Sequence, residues 1–206
     1  MMDNLWDKCH DCDFEKLFKK KGYSYFTKGV YNLNIIGVRR KVRNNYISNA
    51  FDDFLVLIYK NANREVRRIY SITTEPGLYY MTKNLLNLKG AAIVVPGQYK
   101  GCWKIGKHKG KYKALVQNKA IKVYRDNNKD KIYNLNPKTI DEGVFGINIH
   151  RSKEIGGATK VDKYSAGCQV FQYAEDFKSF MVICEKQREL YGNSFTYTLI
   201  DEEDLE

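Results

Sequence analysis

Short apolar segments separated by turn residues recur through this chain, and they restrict it to a fold built mainly from strands. Residues 54–59 and 66–72 flank a polar turn at 61–63, a pattern that predicts a β-hairpin with a longer loop. Tyrosine favours strands, and the chain has 16 tyrosines against 3 prolines. Further strands are predicted at residues 31–38, 78–81, 91–95, 103–105, 112–116, 121–124 and 195–200.

One main helix is predicted, near the C-terminal end. The apolar residues of 176–191 share one helical face, namely Phe177, Phe180, Met181 and Cys184. Gly192 then stands where a C-terminal cap is expected. Hydrophobic residues make up 43% of the chain, which is enough to bury a core. We therefore expect a single domain over residues 31–200, with a curved mixed β-sheet or sandwich and one main C-terminal helix.

The two ends of the chain are more polar in sequence than its middle. Residues 1–30 are predicted to be a polar, lysine-rich extension with one short amphipathic helix at Phe14, Leu17 and Phe18. Residues 201–206 are rich in acids and are predicted to be a solvated tail. The sequence shows neither the apolar segment of a signal peptide nor a run long enough to span a membrane.

The cysteines outside the candidate site described below do not indicate a metal centre or a disulfide scaffold. Cys9 and Cys12 have a spacing that could bind zinc, but a second ligand pair at suitable spacing is missing, so a frayed polar start is favoured. Cys102 and Cys184 are predicted to be buried packing residues. We predict no metal and no cofactor.

The formal net charge is +11, which indicates attraction to polyanions such as nucleic acid, anionic wall polymers or acidic membrane surfaces. The alternative is a well-solvated surface of scattered lysines. No recognisable nucleic-acid-binding motif accompanies the charge, so nucleic acid is the less favoured partner.

Cys168 is the candidate nucleophile, and His150 is the candidate base. A thiol attacks as its thiolate, and a neighbouring imidazole is the usual means of removing its proton. The chain has only 3 histidines. His10 lies in the polar N-terminal segment, and His108 lies in a lysine-rich run predicted to be a solvated hairpin tip. His150 is therefore the best base available.

Local sequence suggests how these two residues are presented. Around His150, Ile147 and Ile149 alternate with Asn148 and His150, so a strand would place the two polar side chains on one face. The residues before Cys168 are small (Ser165, Ala166 and Gly167) and suit a tight turn whose N–H groups point at an anionic intermediate. Residues 152–163 contain two adjacent glycines and are predicted to be a loop that moves over the site.

Residues from Gly146 to Cys168 resemble the L,D-transpeptidase catalytic domain, which carries a histidine on one strand and, after a loop of similar length, a Ser/Thr-His-Gly-Cys turn. The resemblance covers residues 50–172, with an insertion near 96–141. It implies Cys168 as nucleophile, His150 as base, a backbone carbonyl that orients the histidine, and Gly167 and Ser165 as parts of the turn.

The chain departs from that family at three positions. Ala166 stands where a second histidine is usual, Gln169-Val170-Phe171 lacks an arginine that commonly follows the cysteine, and Arg151 replaces a small residue. The missing arginine weakens the expected recognition of a substrate carboxylate. We therefore take Arg151, together with Asn148, as candidate substrate-binding residues.

The resemblance implies acyl transfer on the stem peptides of peptidoglycan. The thioester would be resolved by an amine, giving a crosslink, or by water, giving cleavage. Without an export signal, cleavage during phage infection or lysis is favoured over routine crosslinking, with delivery by a virion or an injector as further routes. Two alternatives stay open: a cysteine amidase or peptidase on another substrate, and a non-enzymatic basic virion or binding protein with a degenerate fold.

Overall fold

A computed structural model describes residues 4–41, 43–62 and 64–205. Strands hold 37% of the residues and helices hold 24%, so the predicted mainly β class with a C-terminal helix is confirmed. Residue 63 of the predicted hairpin turn, and residues 1–3 and 206 of the predicted end segments, lie outside the described residues.

The elements fall close to the predicted positions. The helices are α1 (Asn4–Asp11), α2 (Phe14–Lys21), α3 (Leu78–Thr82) and α4 (Ala174–Tyr191). The strands are β1 (Asn34–Arg39), β2 (Asp53–Asn61), β3 (Arg64–Thr73), β4 (Ala91–Val94), β5 (Gly97–His108), β6 (Tyr112–Gln117), β7 (Ile121–Asp126), β8 (Asp141–Gly143), β9 (Ile149–Arg151), β10 (Gln169–Phe171) and β11 (Phe195–Asp201). Short 3-10 helices lie at Arg43–Asn45, Pro137–Thr139 and Glu202–Leu205.

The larger sheet closes on itself in the order β1-β11-β5-β6-β9-β10-β3-β2, and the smaller sheet has the order β4-β7-β8. The predicted pairings of β2 with β3 and of β5 with β6 are confirmed. The sequence predicted curvature but not closure. Closure arises because β1 pairs with β2 on one side and with β11, in parallel, on the other. The sheet is thus mixed, as predicted.

The main core fills the inside of the closed sheet and is covered by α4. Trp103 is fully buried and donates its indole N–H to the Ile147 carbonyl at 2.8 Å, which links β5 to the segment that leads into β9. From α4, Phe177, Phe180 and Cys184 are buried in this core, as the helical spacing predicted. Burial of such a face is the main source of stability for a helix in a globular protein.

Residues 78–81 form helix α3 and not the predicted strand. The Met81 N–H donates to the Gly77 carbonyl at 3.2 Å, which closes a helical turn, and the Gly77 N–H donates to the Ser165 carbonyl at 2.9 Å. A short apolar run fits a buried helical turn as well as a strand, so its pattern alone could not decide between them. The helix begins beside the turn that carries the candidate nucleophile.

The N-terminal segment has two helices where one was predicted. Leu5 and Cys9 of α1 and Phe14 and Phe18 of α2 are buried in a second apolar cluster. On the sheet side, this cluster contains Ile36, Val38, Phe54, Val56, Ile58 and Ile200. The N-terminal helices therefore cover the outer face of β1 and β2, and Cys9 is an apolar packing residue and not part of a frayed polar start.

The acidic C-terminal residues also differ from the predicted solvated tail. Glu202–Leu205 is a short 3-10 helix, and Leu205 packs against the apolar cluster of α1 and α2. Glu202 lies 3.7 Å from Lys8, and Asp204 lies 2.6 Å from Lys21. The sequence could not show this because the lysines that attract the acids lie at the opposite end of the chain. Among the described helices, none is long and apolar enough to cross a membrane.

Candidate active site

The predicted cysteine and histidine line one cavity of about 450 Å³. The cavity also brings together Asn148, Ala166 and a second histidine, His108. Its apolar wall includes Leu86, Ala91, Ala92, Val144, Phe145 and Ile147. A cavity of this size is within the usual range for a small-molecule or peptide-terminus site.

Two parallel strands place Cys168 beside the histidine segment. Strand β10 pairs with β9 so that Val170 lies opposite His150, and the Gln169 N–H donates to the Asn148 carbonyl at 3.0 Å. Cys168 directly precedes this pairing. Asn148 and His150 line the cavity and Ile149 is fully buried in the core, as the predicted alternation requires, but Ile147 also borders the cavity, so the alternation holds only from Asn148 to His150.

The turn before Cys168 is held by the hydroxyl of Ser165. The Ser165 hydroxyl donates to the Cys168 carbonyl at 2.8 Å and accepts from the Gly167 N–H at 3.1 Å, so it braces the turn. Gly167 has φ +123°, and a Cβ there would lie 2.3 Å from the Ala92 carbonyl oxygen. Glycine is therefore required both for the backbone conformation and for the close approach of β4.

That bracing bond changes the expected set of oxyanion donors. Because the Gly167 N–H already donates to Ser165, it cannot also serve an anionic intermediate without breaking the turn. The Cys168 N–H, by contrast, has no hydrogen-bond acceptor among the described residues. Of the N–H groups of Gly167 and Cys168, only that of Cys168 is thus left to bind an oxyanion.

The surroundings of Cys168 favour its thiol over its thiolate. Its sulfur accepts a hydrogen bond from the Asn148 N–H at 3.4 Å and makes a long contact with the Gly146 carbonyl at 3.7 Å. Burial raises the pKa of Cys168, and the Asn148 N–H and the positive charge of Lys109 offset only part of that effect. No hydrogen bond joins this sulfur to the His150 ring in the described site.

His150 is a neutral base with a defined tautomer. Its Nδ1 lies 2.8 Å from the Arg151 carbonyl oxygen, which can only accept, so Nδ1 carries the proton and Nε2 is left unprotonated. Burial lowers the pKa of His150 to about 3, with a smaller contribution from His108, and the Arg151 carbonyl opposes this shift. A backbone carbonyl thus orients the histidine, the arrangement that the resemblance implied.

His108 is not the solvated hairpin tip that the sequence suggested. Its side chain is only 7% exposed, and its ring stacks on that of His150 with 4.0 Å between centroids and 24° between planes. The prediction was wrong because the hairpin turns one residue later: His108 still pairs with Tyr112, and the residues at the tip are Lys109 and Gly110, both with positive φ. His108 is thus the last residue of β5, and its side chain lines the cavity.

Arg151 does not line the cavity. Its guanidinium lies 4.2 Å from the centre of the Tyr112 ring and 3.7 Å from the Glu154 carboxylate. The cations that line the cavity are Lys109, Arg125 and Lys163, and no carboxylate from the described residues lines it. Arg125 is paired with Asp141 at 3.1 Å. The cavity is therefore positive, and sequence reasoning had named none of these three residues.

The loop over 152–163 is tied down on several sides, which differs from the mobile arm that its glycines suggested. Ala158 N–H donates to the Gln172 carbonyl at 3.2 Å, and Val161 N–H donates to the Asn49 carbonyl at 3.0 Å. The Asn49 side chain also accepts from the Asp162 N–H at 2.8 Å. Long-range bonds of this kind cannot be read from glycine content.

The site and the fold together define a class: a mainly β domain in which a cysteine and an oriented neutral histidine share a positive cavity. Comparison with family models, with curated proteins and with solved structures gives no match for this chain.

Proposed function

We propose that this protein is a cysteine-dependent acyltransferase of the L,D-transpeptidase type that acts on peptidoglycan stem peptides, with cleavage during phage lysis or infection favoured over crosslinking. The observation that carries the proposal is that Cys168 and His150 line one cavity while a backbone carbonyl holds His150 with Nε2 unprotonated. The Ser165 bracing of the turn and the resemblance of residues 146–168 support it.

Burial disfavours the charged forms of both groups, because it raises the pKa of Cys168 and lowers that of His150. In the proposed reaction, His150 Nε2 therefore takes the thiol proton as the sulfur attacks the substrate carbonyl, and no ion pair forms beforehand. The C–N bond then breaks, the leaving amine takes the proton from His150, and the acyl group remains on Cys168 as a thioester. Water or a second amine resolves that thioester.

The charge of the cavity supports an anionic substrate. Stem peptides carry free carboxylates, and Lys109 and Lys163 line the cavity without a carboxylate partner among the described residues. These lysines take the place of Arg151 as the proposed carboxylate-binding groups. Lys109 is near enough to both histidines and to Cys168 that its charge lowers the pKa of all three.

A second candidate function is a non-enzymatic binding protein with a degenerate site. The raised pKa of Cys168 and the lack of a hydrogen bond from its thiol to His150 favour it, because a nucleophilic cysteine normally has a lowered pKa and a charged or basic partner. A cysteine amidase acting on another peptide substrate would use the same pair of residues and the same steps.

Covalent capture separates these functions. The protein is incubated with a carbapenem, a strained amide that acylates cysteine nucleophiles, and the adduct is mapped by mass spectrometry. We expect one adduct, on Cys168, which is absent in Cys168→Ser and at least about 100-fold slower in His150→Gln. Cys12→Ser is the matched control because Cys12 is also partly exposed but lies in the N-terminal helical region.

Digested muropeptides from treated cell walls then identify the substrate. Loss of crosslinks or shortening of stems supports cleavage, and new crosslinks support transpeptidation. A mapped adduct without any muropeptide change would favour an amidase on another substrate. If Cys168 captures no carbapenem and muropeptides are unchanged, the binding-protein function replaces the enzymatic one.

A further inference from the structure

The turn beside Cys168 supplies fewer oxyanion donors than acyl transfer normally uses. Two donors commonly stabilise the developing oxyanion, and losing one typically costs 100- to 1,000-fold in rate, as an order of magnitude. The Gly167 N–H is committed to Ser165, which leaves the Cys168 N–H from this turn. Acyl transfer at this site therefore requires another polar hydrogen from the cavity wall.

A chain of hydrogen bonds fixes the tautomer of His108. The Gln117 N–H donates to Asn148 Oδ1 at 3.0 Å, which identifies the oxygen side of the amide. Asn148 Nδ2 is then the donor to His108 Nδ1, at 3.0 Å. Because Nδ1 accepts, the proton of neutral His108 is on Nε2. His108 and His150 are therefore opposite tautomers in one stack.

The Nε2–H of His108 is available to a ligand. It has no acceptor among the described residues, and His108 lines the same cavity as Cys168. The ring is fixed on three sides, by Asn148, by the stack on His150 and by Tyr112, whose ring centroid is 5.5 Å away. A fixed donor in a buried site costs little reorganisation when charge develops.

We propose that His108 is a catalytic residue that donates a hydrogen bond from Nε2 to the carbonyl oxygen of the acyl substrate. As the Cys168 sulfur bonds to the carbonyl carbon, the π-electron pair moves to that oxygen, and His108 stabilises it without giving up its proton. His150 carries the thiol proton to the leaving group. This inference rests on the proposed function and assigns a role to a residue that the sequence motif does not contain.

Two further observations support this role. Burial, with Lys109, lowers the pKa of His108 to about 4, so the ring stays neutral and keeps its tautomer across the physiological range. Neutral imidazole is an established donor to carbonyl oxygens in enzyme sites. In addition, Ala166 and His108 line the same cavity. Strand β5 therefore supplies a second histidine to the cavity, although the turn has alanine at position 166.

The test compares two reactions of the same thiol. Iodoacetamide alkylates Cys168 without forming an oxyanion, whereas a carbapenem forms one. We expect His108→Phe, which keeps a flat ring but has no donor, to slow acylation about 100- to 1,000-fold while the alkylation rate changes less than about threefold. His108→Gln keeps an N–H donor and is expected to retain acylation within about tenfold.

His10→Phe is the matched control, because His10 is an exposed histidine of α1. Equal loss of acylation in the Phe and Gln variants, or no loss in the Phe variant, would overturn the role of His108. If the wild-type protein is alkylated but never acylated, the proposed function itself fails, which is a distinct result. Imidazole ¹⁵N spectra of the wild-type protein give a test free of folding effects: His108 found as the Nδ1–H tautomer at pH 7 contradicts the proposal.

Discussion

Gly167 shows how a single residue joins the small sheet to the candidate nucleophile. Its backbone adopts φ +123°, and the place that a Cβ would take is occupied by the carbonyl oxygen of Ala92 on β4. The adjacent Ser165 hydroxyl then bonds both sides of the same turn. The position of Cys168 is therefore set by the packing of β4 against the turn, as well as by the strand that follows it.

Replacing Gly167 should disrupt the packing of β4 against the turn that carries Cys168. We expect Gly167→Ala to lower the free energy of unfolding by about 2–4 kcal/mol, from backbone strain plus the clash with Ala92, and to abolish carbapenem capture at Cys168. Urea unfolding gives the first quantity. Gly110→Ala is the control because Gly110 also has positive φ (72°) but has nothing within 4 Å, so its cost is limited to strain of about 1–2 kcal/mol.

The histidine stack makes stability depend on pH. Both pKa values are lowered, to about 4 for His108 and about 3 for His150, so the unfolded chain binds protons first as the pH falls below about 6.5. The stack therefore stabilises the fold above that pH, and its contribution is lost as the pH falls. Between pH 7 and pH 5 we expect each ring to account for a loss of roughly 1–2 kcal/mol.

The measurement is the urea midpoint at both pH values for the wild type and for His108→Gln. The variant should lose less stability on acidification. An equal loss in both proteins would show that the stack does not set the pH dependence. Asp53 has the opposite effect on the pH dependence of stability. Burial raises its pKa to about 6, so its contribution to the free energy of unfolding is lost as the pH rises. The comparison with the variant separates the effect of the histidines from that of Asp53.

Among the elements, the two N-terminal helices depart most from what the sequence indicated. The spacing of Phe14, Leu17 and Phe18 identified one helix correctly, but lysines dominate the composition of the segment. Phe18 makes edge-on ring contacts with Phe14, Tyr23 and Tyr25, with centroids 5.7 to 6.4 Å apart. The lysines lie on the outward face of the helix, so the polar average composition of the segment did not indicate that its other face is buried.

We expect Phe18→Ala to destabilise the protein by about 3–5 kcal/mol, because it removes a fully packed aromatic from the cover of β1 and β2. Trp6→Ala, on the exposed side of α1, is the control and should cost less than about 1 kcal/mol. Thermal and urea unfolding measure both variants. A cost below 1 kcal/mol for Phe18→Ala would show that these helices are an accessory and not part of the core.

At the scale of the molecule, the lysines that contribute to the net charge of +11 lie in different surroundings. Several lysines pair with acids on the surface, such as Lys113 with Glu185 at 2.9 Å. Lys109 and Lys163 instead line a cavity to which no described carboxylate contributes, where they create a positive potential that would attract the proposed anionic substrate. Salt should therefore weaken substrate capture more than it weakens the chemistry.

The double variant Lys109→Gln/Lys163→Gln is expected to raise KM for a carboxylate-bearing peptide about 10-fold, because it removes the cations that bind the carboxylate. Lys104→Gln/Lys107→Gln removes the same charge from exposed positions of β5 and is the control. Equal effects of both pairs would indicate general attraction by the net charge and not a specific contact.

The sequence predicted the parts of this fold that depend on neighbours along the chain. The hairpin of β2 and β3, helix α4 and the alternation from Asn148 to His150 are local patterns, and all are present. Closure through β1 and β11 pairs Ile35 with Tyr197, and no local pattern encodes that contact. In the site, Cys168 and His150 were found from spacing, whereas His108 and Lys109 come from a distant hairpin whose turn position was misjudged by one residue.

The pairing of β11 with both β1 and β5 also has a consequence for synthesis on the ribosome. Until residue 201 has emerged, β1 has one neighbour and the sheet is open along its length. Contacts between such distant residues form slowly and late. A nascent chain therefore carries its thiol in an unfinished scaffold, and we expect the proposed reactivity towards an acyl donor only after translation of this domain is complete.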